Sequence, residues 1–346
     1  MIINRDTLYK ALSDVNRVIN NRSTLPLLAC VVFKVEGEKL NLTAGDGEVF
    51  YSTVIDLVEG SDESFAVDCK TLTNALKEMP SMPLTINVED GKIEVDYFKG
   101  KFELPTEDVN EYPTIPTVDS EPILIEDTTS INTAQIFVAD DELRPVMNGV
   151  YLDFENGYIA SSDGHKLYRS ELTKAGGSVI VPKKAMMLSK LLPMYKVSFN
   201  DTNVKFEFED TTIISRLIDG RYPNYNSVIP QNNPYHYEVD KELLINAIKR
   251  VSVFGSRDSN LVKLDFKDGK LNLRAKDLDF STSAEESLEC VTSENMTIGF
   301  KATFLIDILN SISGDVVHID LADKSRAGIF KGDNEDVFLL MPMFID

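Results

Sequence analysis

Hydrophobic and polar positions alternate with a period of two in three similar stretches: VVFKVEGEKLNLTAGD (31–46), VYLDFENGYIASSD (150–163) and VKLDFKDGKLNLRAKD (262–277). In each, two alternating runs flank a short turn containing Gly, which predicts a β-hairpin. Ahead of each hairpin the pattern shifts to a helical one that opens on a polar or acidic residue: RDTLYKALSDVNRVIN (5–20), NTAQIFVADDELR (132–144) and DKELLINAIKRVSVF (240–254). Behind each hairpin, SFAVDCKTLTNALKEMP (64–80), SVIVPKKAMMLSKLLP (178–193) and TIGFKATFLIDILNSI (297–312) predict a short apolar strand leading into an amphipathic helix. Further alternating strands follow each of these.

Matched positions recur at a nearly fixed interval. Phe33 to Leu152 is 119 residues and Leu152 to Leu264 is 112, while Phe65 to Val179 is 114 and Val179 to Ile298 is 119. The order helix, hairpin, strand, helix, strands therefore occurs three times, and the chain reads as three copies of one α+β unit. Each unit is expected to hold two helices on one face of antiparallel sheets. The loop-forming stretches YPTIPTVDSEP (112–122) and IPQNNPYHY (229–237) mark the joints. The expected domains are 1–120, 121–236 and 237–346.

Charge adds a second layer. The 346 residues carry 35 Lys and Arg against 56 Asp and Glu, a net charge of −21. Such a chain does not adsorb to nucleic acid or anionic membrane through its average surface. Yet the helix windows 5–20, 70–79, 133–144, 183–192, 240–251 and 301–311 hold 13 cations against 9 anions, leaving −25 for the rest. Helix propensity favours Lys, but it favours Glu equally. The imbalance fits helices lining one surface that meets a polyanion, touching phosphates without reading bases.

Motifs for chemistry are sparse. GxGxxG, GxxxxGK[ST], HExxH and CxxC do not occur in the sequence. No metal and no cofactor is expected. Asp163 and His165 in SSDGHKL are the one arrangement a hydrolase could use, but an orienting partner and a nucleophile are not evident. The alternative for Asp163-Gly164-His165 is a turn, with Gly164 at positive φ. Cys30 and Cys69 sit in apolar strand contexts, and three separated Cys with no apolar leader or 18-residue apolar run predict a cytoplasmic protein with buried thiols. A triple-repeat scaffold that meets no polyanion is the other rival, opposed by the positive helices.

The whole chain resembles the bacterial DNA sliding clamps, the beta subunit of the replicative DNA polymerase (DNA polymerase III beta). The resemblance rests on TLPLLACV (24–31), LRPVMNGVYLDF (143–154), SSDGHKLYRS (161–170), IDGRYPNYNSVIP (218–230) and the terminal LLMPMF (339–344), in order within the triple repeat. It implies three clamp domains per subunit and a head-to-tail homodimer closing into a ring. Helices would face a hole that encircles duplex DNA and sheets would form the outer wall, giving a non-enzymatic processivity factor. It implies a pocket for short peptides of the replicative polymerase, the clamp loader and repair polymerases. Its lining here would be Met147, Ser162, Gly164, His165, Lys166, Leu167, Pro223, Val228, Leu339, Leu340, Met341, Pro342 and Met343. His165 and Lys166 would meet backbone or acidic groups of the peptide.

The resemblance places the dimer interface at Phe102 and Leu104 in the first domain and Val253 and Phe254 in the third. Arg22 matches a DNA-contacting position of the family. Lys10, Arg17, Lys70, Lys77, Lys183, Lys184, Lys190, Lys249 and Lys301 are DNA-facing candidates by helix membership alone. Two departures stand out. The chain ends Phe344-Ile345-Asp346 where many members carry a basic residue, and Arg144 is followed by Pro145 and Val146 where aromatics can occur. Asp140, Asp141 and Glu142 also make that predicted helix end acidic.

Overall fold

The computed structural model describes residues 1–20, 25–126 and 128–345. Among the described residues six α-helices form: α1 (Arg5–Val15), α2 (Cys69–Lys77), α3 (Thr129–Ala134), α4 (Lys183–Ser189), α5 (Lys241–Ser252) and α6 (Ala302–Ser311). All but α3 begin at the residue after a strand. In three of them the last strand residue is also the cap. Asn4 accepts the Asp6 N–H at 2.8 Å, Asp68 that of Thr71 at 2.7 Å, and Asp240 that of Leu243 at 2.8 Å. A short polar side chain thus satisfies an amide that the first helical turn leaves unpaired. Helix α5 then buries Leu244, Ala247, Ile248 and Val251, one face of an amphipathic helix. None of the described helices is long and apolar enough to cross a membrane.

The six positions that set the sequence period meet in space. Phe33 pairs with Phe65, Leu152 with Val179 and Leu264 with Ile298, each across two antiparallel strands. All six are buried, and the Phe33 and Phe65 rings stack at 4.8 Å. The three hairpins form as read: Cys30–Glu36 with Lys39–Gly45, Gly149–Asp153 with Tyr158–Ser162, and Leu261–Lys267 with Lys270–Asp277. Cys30 and Cys69 are buried, and burial raises both thiols, Cys30 to about 11 and Cys69 to about 12. Cys290 is only half-buried.

By contacts the chain forms two compact units, Met1–Thr128 with Lys184–Leu217, and Thr129–Lys183 with Ile218–Asp346. The first holds one 12-stranded sheet; the second holds a 9-stranded and a 4-stranded sheet. Each long sheet joins strands of successive repeats. In the first unit, Val49–Asp56 pairs antiparallel with Thr211–Arg216; in the second, Lys166–Glu171 pairs with Val337–Leu340. In both cases the strand after a repeat's hairpin pairs with the last strand of the next repeat. The equivalent strand of the third repeat, Thr282–Glu289, is an edge whose described partner is Lys270–Asp277 alone. The last strand of the first repeat, Gly100–Glu107, pairs over Gly100–Pro105 with Lys92–Tyr97. On its other side only Thr106 and Glu107 are paired.

The third helix differs from expectation. Helix α3 starts earlier than the predicted window, continues as a 3₁₀ turn over Gln135–Phe137, and stops. Residues 138–148 fold instead around local side-chain bonds. Asn148 binds both the N–H and the carbonyl of Asp141 at 3.0 Å, and Asp141 accepts Leu143 N–H at 2.9 Å and Arg144 Nε at 2.8 Å. Asp and Asn offer the backbone such alternatives to a helix. Pro145 also drives Arg144 out of helical conformation, to φ −130° and ψ 61°. Asp140, Asp141, Glu142 and Arg144 therefore lie on a loop, not on a helix end.

Candidate functional site

An apolar cluster on one face of the 9-stranded sheet gathers most of the predicted pocket segments. Leu167 and Leu339 lie opposite each other on paired strands and form its floor with Ile329, Val337, Ala160 and Ile180. The segment 218–230 packs over that floor, burying Tyr222, Tyr225 and Ile229, with Val146, Tyr151, Tyr158 and Ile218 around the margin. Tyr222 stacks on Tyr151 at 4.9 Å with rings 1° from parallel. The Tyr225 hydroxyl donates to the buried Asp153 carboxylate at 3.0 Å, and Asn156 Nδ2 donates to both oxygens of the same carboxylate. Burial first, then Asp153, pushes the Tyr225 hydroxyl well above its usual value. Gly149 permits the close approach: a Cβ there would stand 2.8 Å from Ile218 Cδ1 and 2.7 Å from the Val181 carbonyl oxygen.

The rim is built by the turn at 162–166. Asp163 Oδ1 accepts the N–H groups of His165 and Lys166 at 2.8 Å each, and Ser162 Oγ donates to the Lys166 carbonyl at 2.9 Å. Gly164 takes φ +89°, as the turn reading requires. The His165 carbonyl accepts Met341 N–H at 2.8 Å, holding Met341 beside the turn. Met341, Val228, Pro223, Gly164 and His165 are exposed and Ser162 is half-buried. Floor and rim together set a buried apolar cluster beneath an exposed edge that carries an adaptable thioether and polar backbone. Asp163 is engaged by backbone amides, and the His165 ring lies 6.0 Å from that of Phe304.

Four of the expected lining residues lie outside this cluster. Side chains alternate across a strand, so neighbours cannot share a face. Lys166 and Leu340 point to the opposite face from Leu167 and Leu339. There Lys166 Nζ meets Asp307 of α6 at 2.5 Å, 5.1 Å from the ring centres of both Phe137 and Phe304. Leu340 is fully buried on the strand that packs against α6. Met147 is buried outside the cluster, and Val146 takes its place at the margin. Met343 is half-buried outside the cluster, its N–H bonded to the Gly299 carbonyl at 2.8 Å, after half-buried Pro342. Of the ten buried cluster members only Leu167 and Leu339 are among the expected lining residues; the others, Tyr222, Tyr225, Ile329 and Val337 among them, carry only weak signals: two Tyr three apart in YPNY, and alternation in short strands.

Sequence comparison places the chain in context. Residues 1–116, 127–224 and 226–344 match, in order, the N-terminal, central and C-terminal domains of the DNA polymerase III beta subunit. The chain belongs to that family. It is 27% identical over 364 residues to the beta sliding clamp of Haemophilus influenzae, spanning 99% of this chain and 98% of that protein. It is 28% identical over 366 residues to that of Pseudomonas aeruginosa, with the same coverage. In structure it resembles the P. aeruginosa DnaN sliding clamp bound to griselimycin, with a TM-score of 0.93 and 26% identity over 100% of this chain and 99% of that one.

In this beta-subunit chain the helices are the cationic part, and trimming them to their observed bounds sharpens the contrast. The six α-helices among the described residues carry nine Lys and Arg against four Asp and Glu. Lys10, Lys70, Lys77, Lys190 and Lys249 are exposed and Lys183 is half-buried, none with an ion pair among the described residues. Lys184 is different: it binds the Asp46 carboxylate and donates to the Val18 carbonyl at 2.6 Å, so its charge is spent within the fold. Burial alone would raise Asp46, but Lys184 and the N–H groups of Val49 and Glu48 outweigh it and hold the carboxyl below its usual range. Arg17 lies 3.5 Å from Asp14, and Lys301 sits 4.6 Å over the Phe304 ring. Arg22 and Asp346 lie outside the described residues. At the expected interface, Val253 and Phe254 are exposed at the end of α5, while Phe102 and Leu104 are half-buried on Gly100–Glu107.

Proposed function

We propose that this chain is a non-catalytic DNA polymerase processivity factor. Two copies join head to tail into a ring that encircles duplex DNA, slides without sequence preference, and tethers the replicative polymerase and other DNA enzymes by peptides bound in the groove. The observation that carries the ring is the pair of unmatched edges. The repeat pattern twice joins the post-hairpin strand of one repeat to the last strand of the next. Thr282–Glu289 and Gly100–Glu107 are the two strands left over. A second copy satisfies both by the same rule, in a heterologous contact that closes. Phe102, Leu104, Val253 and Phe254 would lie at that joint, and the domains would be 1–120, 121–236 and 237–346.

Closure resolves the charge paradox. A protein of net charge −21 that holds DNA by topology needs only a hole less repulsive than its exterior. Lys10, Lys70, Lys77, Lys183, Lys190 and Lys249 supply weak, salt-sensitive phosphate contacts that permit sliding. Arg17, Arg22 and Lys301 join them in this reading. The groove of Leu167, Leu339, Met341, Pro223 and Val228 would take the partner peptides, and the cytoplasm is the compartment this role implies.

The test is retention on nicked circular DNA after loading by the cognate clamp loader with ATP. Retention through a high-salt wash, followed by loss when the circle is cut once, is expected. Release by salt alone would mean electrostatic adsorption and overturn the ring. No binding, with the loader shown active on another clamp, would leave a scaffold without a DNA role.

A further inference from the structure

Lys166 combines two properties that rarely coincide: its side chain is 6% exposed and it is cationic. Its ammonium is held by the Asp307 carboxylate from α6 and by the faces of Phe137 and Phe304. The residue before it, His165, gives its carbonyl to Met341 at the groove rim; the residue after it, Leu167, is in the groove floor. One three-residue stretch therefore carries rim, anchor and floor. Asp163 and Ser162 fix the same turn from the front, through bonds to the N–H and carbonyl of Lys166 itself.

We infer that Lys166 is a positioning residue for the groove, pinned from behind the sheet by Asp307, and that Asp307 thereby sets the groove's affinity for its peptides without touching them. The inference rests on the partner-groove reading above. Asp307 lies on the far face of the strand from Leu167 and Leu339, so a ligand on the floor has no contact with it. Asp307 itself is 41% exposed, so water reaches the pair from the helix side, but the Lys166 side chain is only 6% exposed; removing the negative charge leaves a largely buried ammonium without its anion, which is costly. The side chain relieves this by swinging out toward water. Because Lys166 is bonded into the turn through both backbone groups, that motion displaces His165 and, through its carbonyl, Met341.

The probe is griselimycin, titrated against the full-length chain. Asp307→Asn is expected to weaken binding by about 5–20-fold, the scale of an unpaired buried charge relieved by local rearrangement. Asp307→Glu, which keeps the anion, is expected to stay within about twofold. In a Lys166→Met background, where no buried charge needs an anion, Asp307→Asn is expected to change nothing further. Asp307→Ser replaces Asp307→Asn should the latter not fold. Wild-type affinity in Asp307→Asn, or the same loss in the Lys166→Met background, overturns the inference. Leu167→Asp in the floor is the control: it abolishes binding if the groove is the site. Undiminished binding by that variant overturns the groove reading itself, a different result from an indifferent Asp307.

Discussion

At Gly164 the backbone takes φ +89°, and a Cβ placed there would stand 2.7 Å from Arg144 Nη1. Any other L-residue adds backbone strain and presses on the guanidinium that donates to the Asp163 carbonyl. Gly164→Ala is expected to destabilise the chain by roughly 1–2 kcal/mol and to weaken peptide binding, read by thermal unfolding and by titration. A second residue-scale prediction concerns Asp46. Its folded pKa lies below the unfolded value, so its contribution is present above about pH 4 and lost as pH falls through the folded value. Asp46→Asn is expected to cost about 1.5–3 kcal/mol at neutral pH, where it loses charged hydrogen bonds to Lys184 and two amides. The gap between variant and wild type should close in acid, where wild-type Asp46 is itself neutral. A pH-independent difference in denaturant unfolding would refute this.

Among elements, the terminal strand and its tail are the most exposed to test. Val337–Leu340 supplies Leu339 to the floor, and residues 341–343 leave it through two backbone bonds, to His165 and to Gly299. A chain ending at Leu340 keeps the strand and the 162–166 turn but loses Met341. It is expected to bind the tail peptide of the cognate polymerase at least about tenfold more weakly, the loss of one well-packed anchor. Binding as tight as that of the intact chain would remove Met341 from the site. Elements were also where the sequence was most and least legible. The repeat register was readable because Phe33, Leu152 and Leu264 each need a buried partner across the hairpin sheet. The end of α3 was missed because Asp141 and Asn148 trade bonds across seven residues, which no periodicity records. The groove segments were legible as segments, but carrying them over whole put Lys166 beside Leu167 and Leu340 beside Leu339. Strand alternation alone separates these pairs.

For the whole molecule, assembly is the decisive property. Val253 and Phe254 are exposed apolar residues beside the free edge Thr282–Glu289, and Thr282 donates to the Phe254 carbonyl at 3.0 Å. Replacing both Val253 and Phe254 by Asp is expected to shift a dimer to a monomer in sedimentation and abolish retention on circular DNA, while leaving peptide binding at the groove near wild type. Loss of both functions together would mean that the change damaged the fold. The continuation of each long sheet across successive repeats has a consequence for biosynthesis. Val49–Asp56 leaves the ribosome 155 residues before its partner strand Thr211–Arg216 begins. At elongation rates of about 5–20 residues per second the nascent chain carries that bare β-edge for roughly 8–30 s. During this interval VFYSTVID, apolar and with one acidic residue at its end, is open to pairing with the wrong neighbour. The same strand that later joins one repeat to the next is thus a segment that gains from a chaperone while translation is under way.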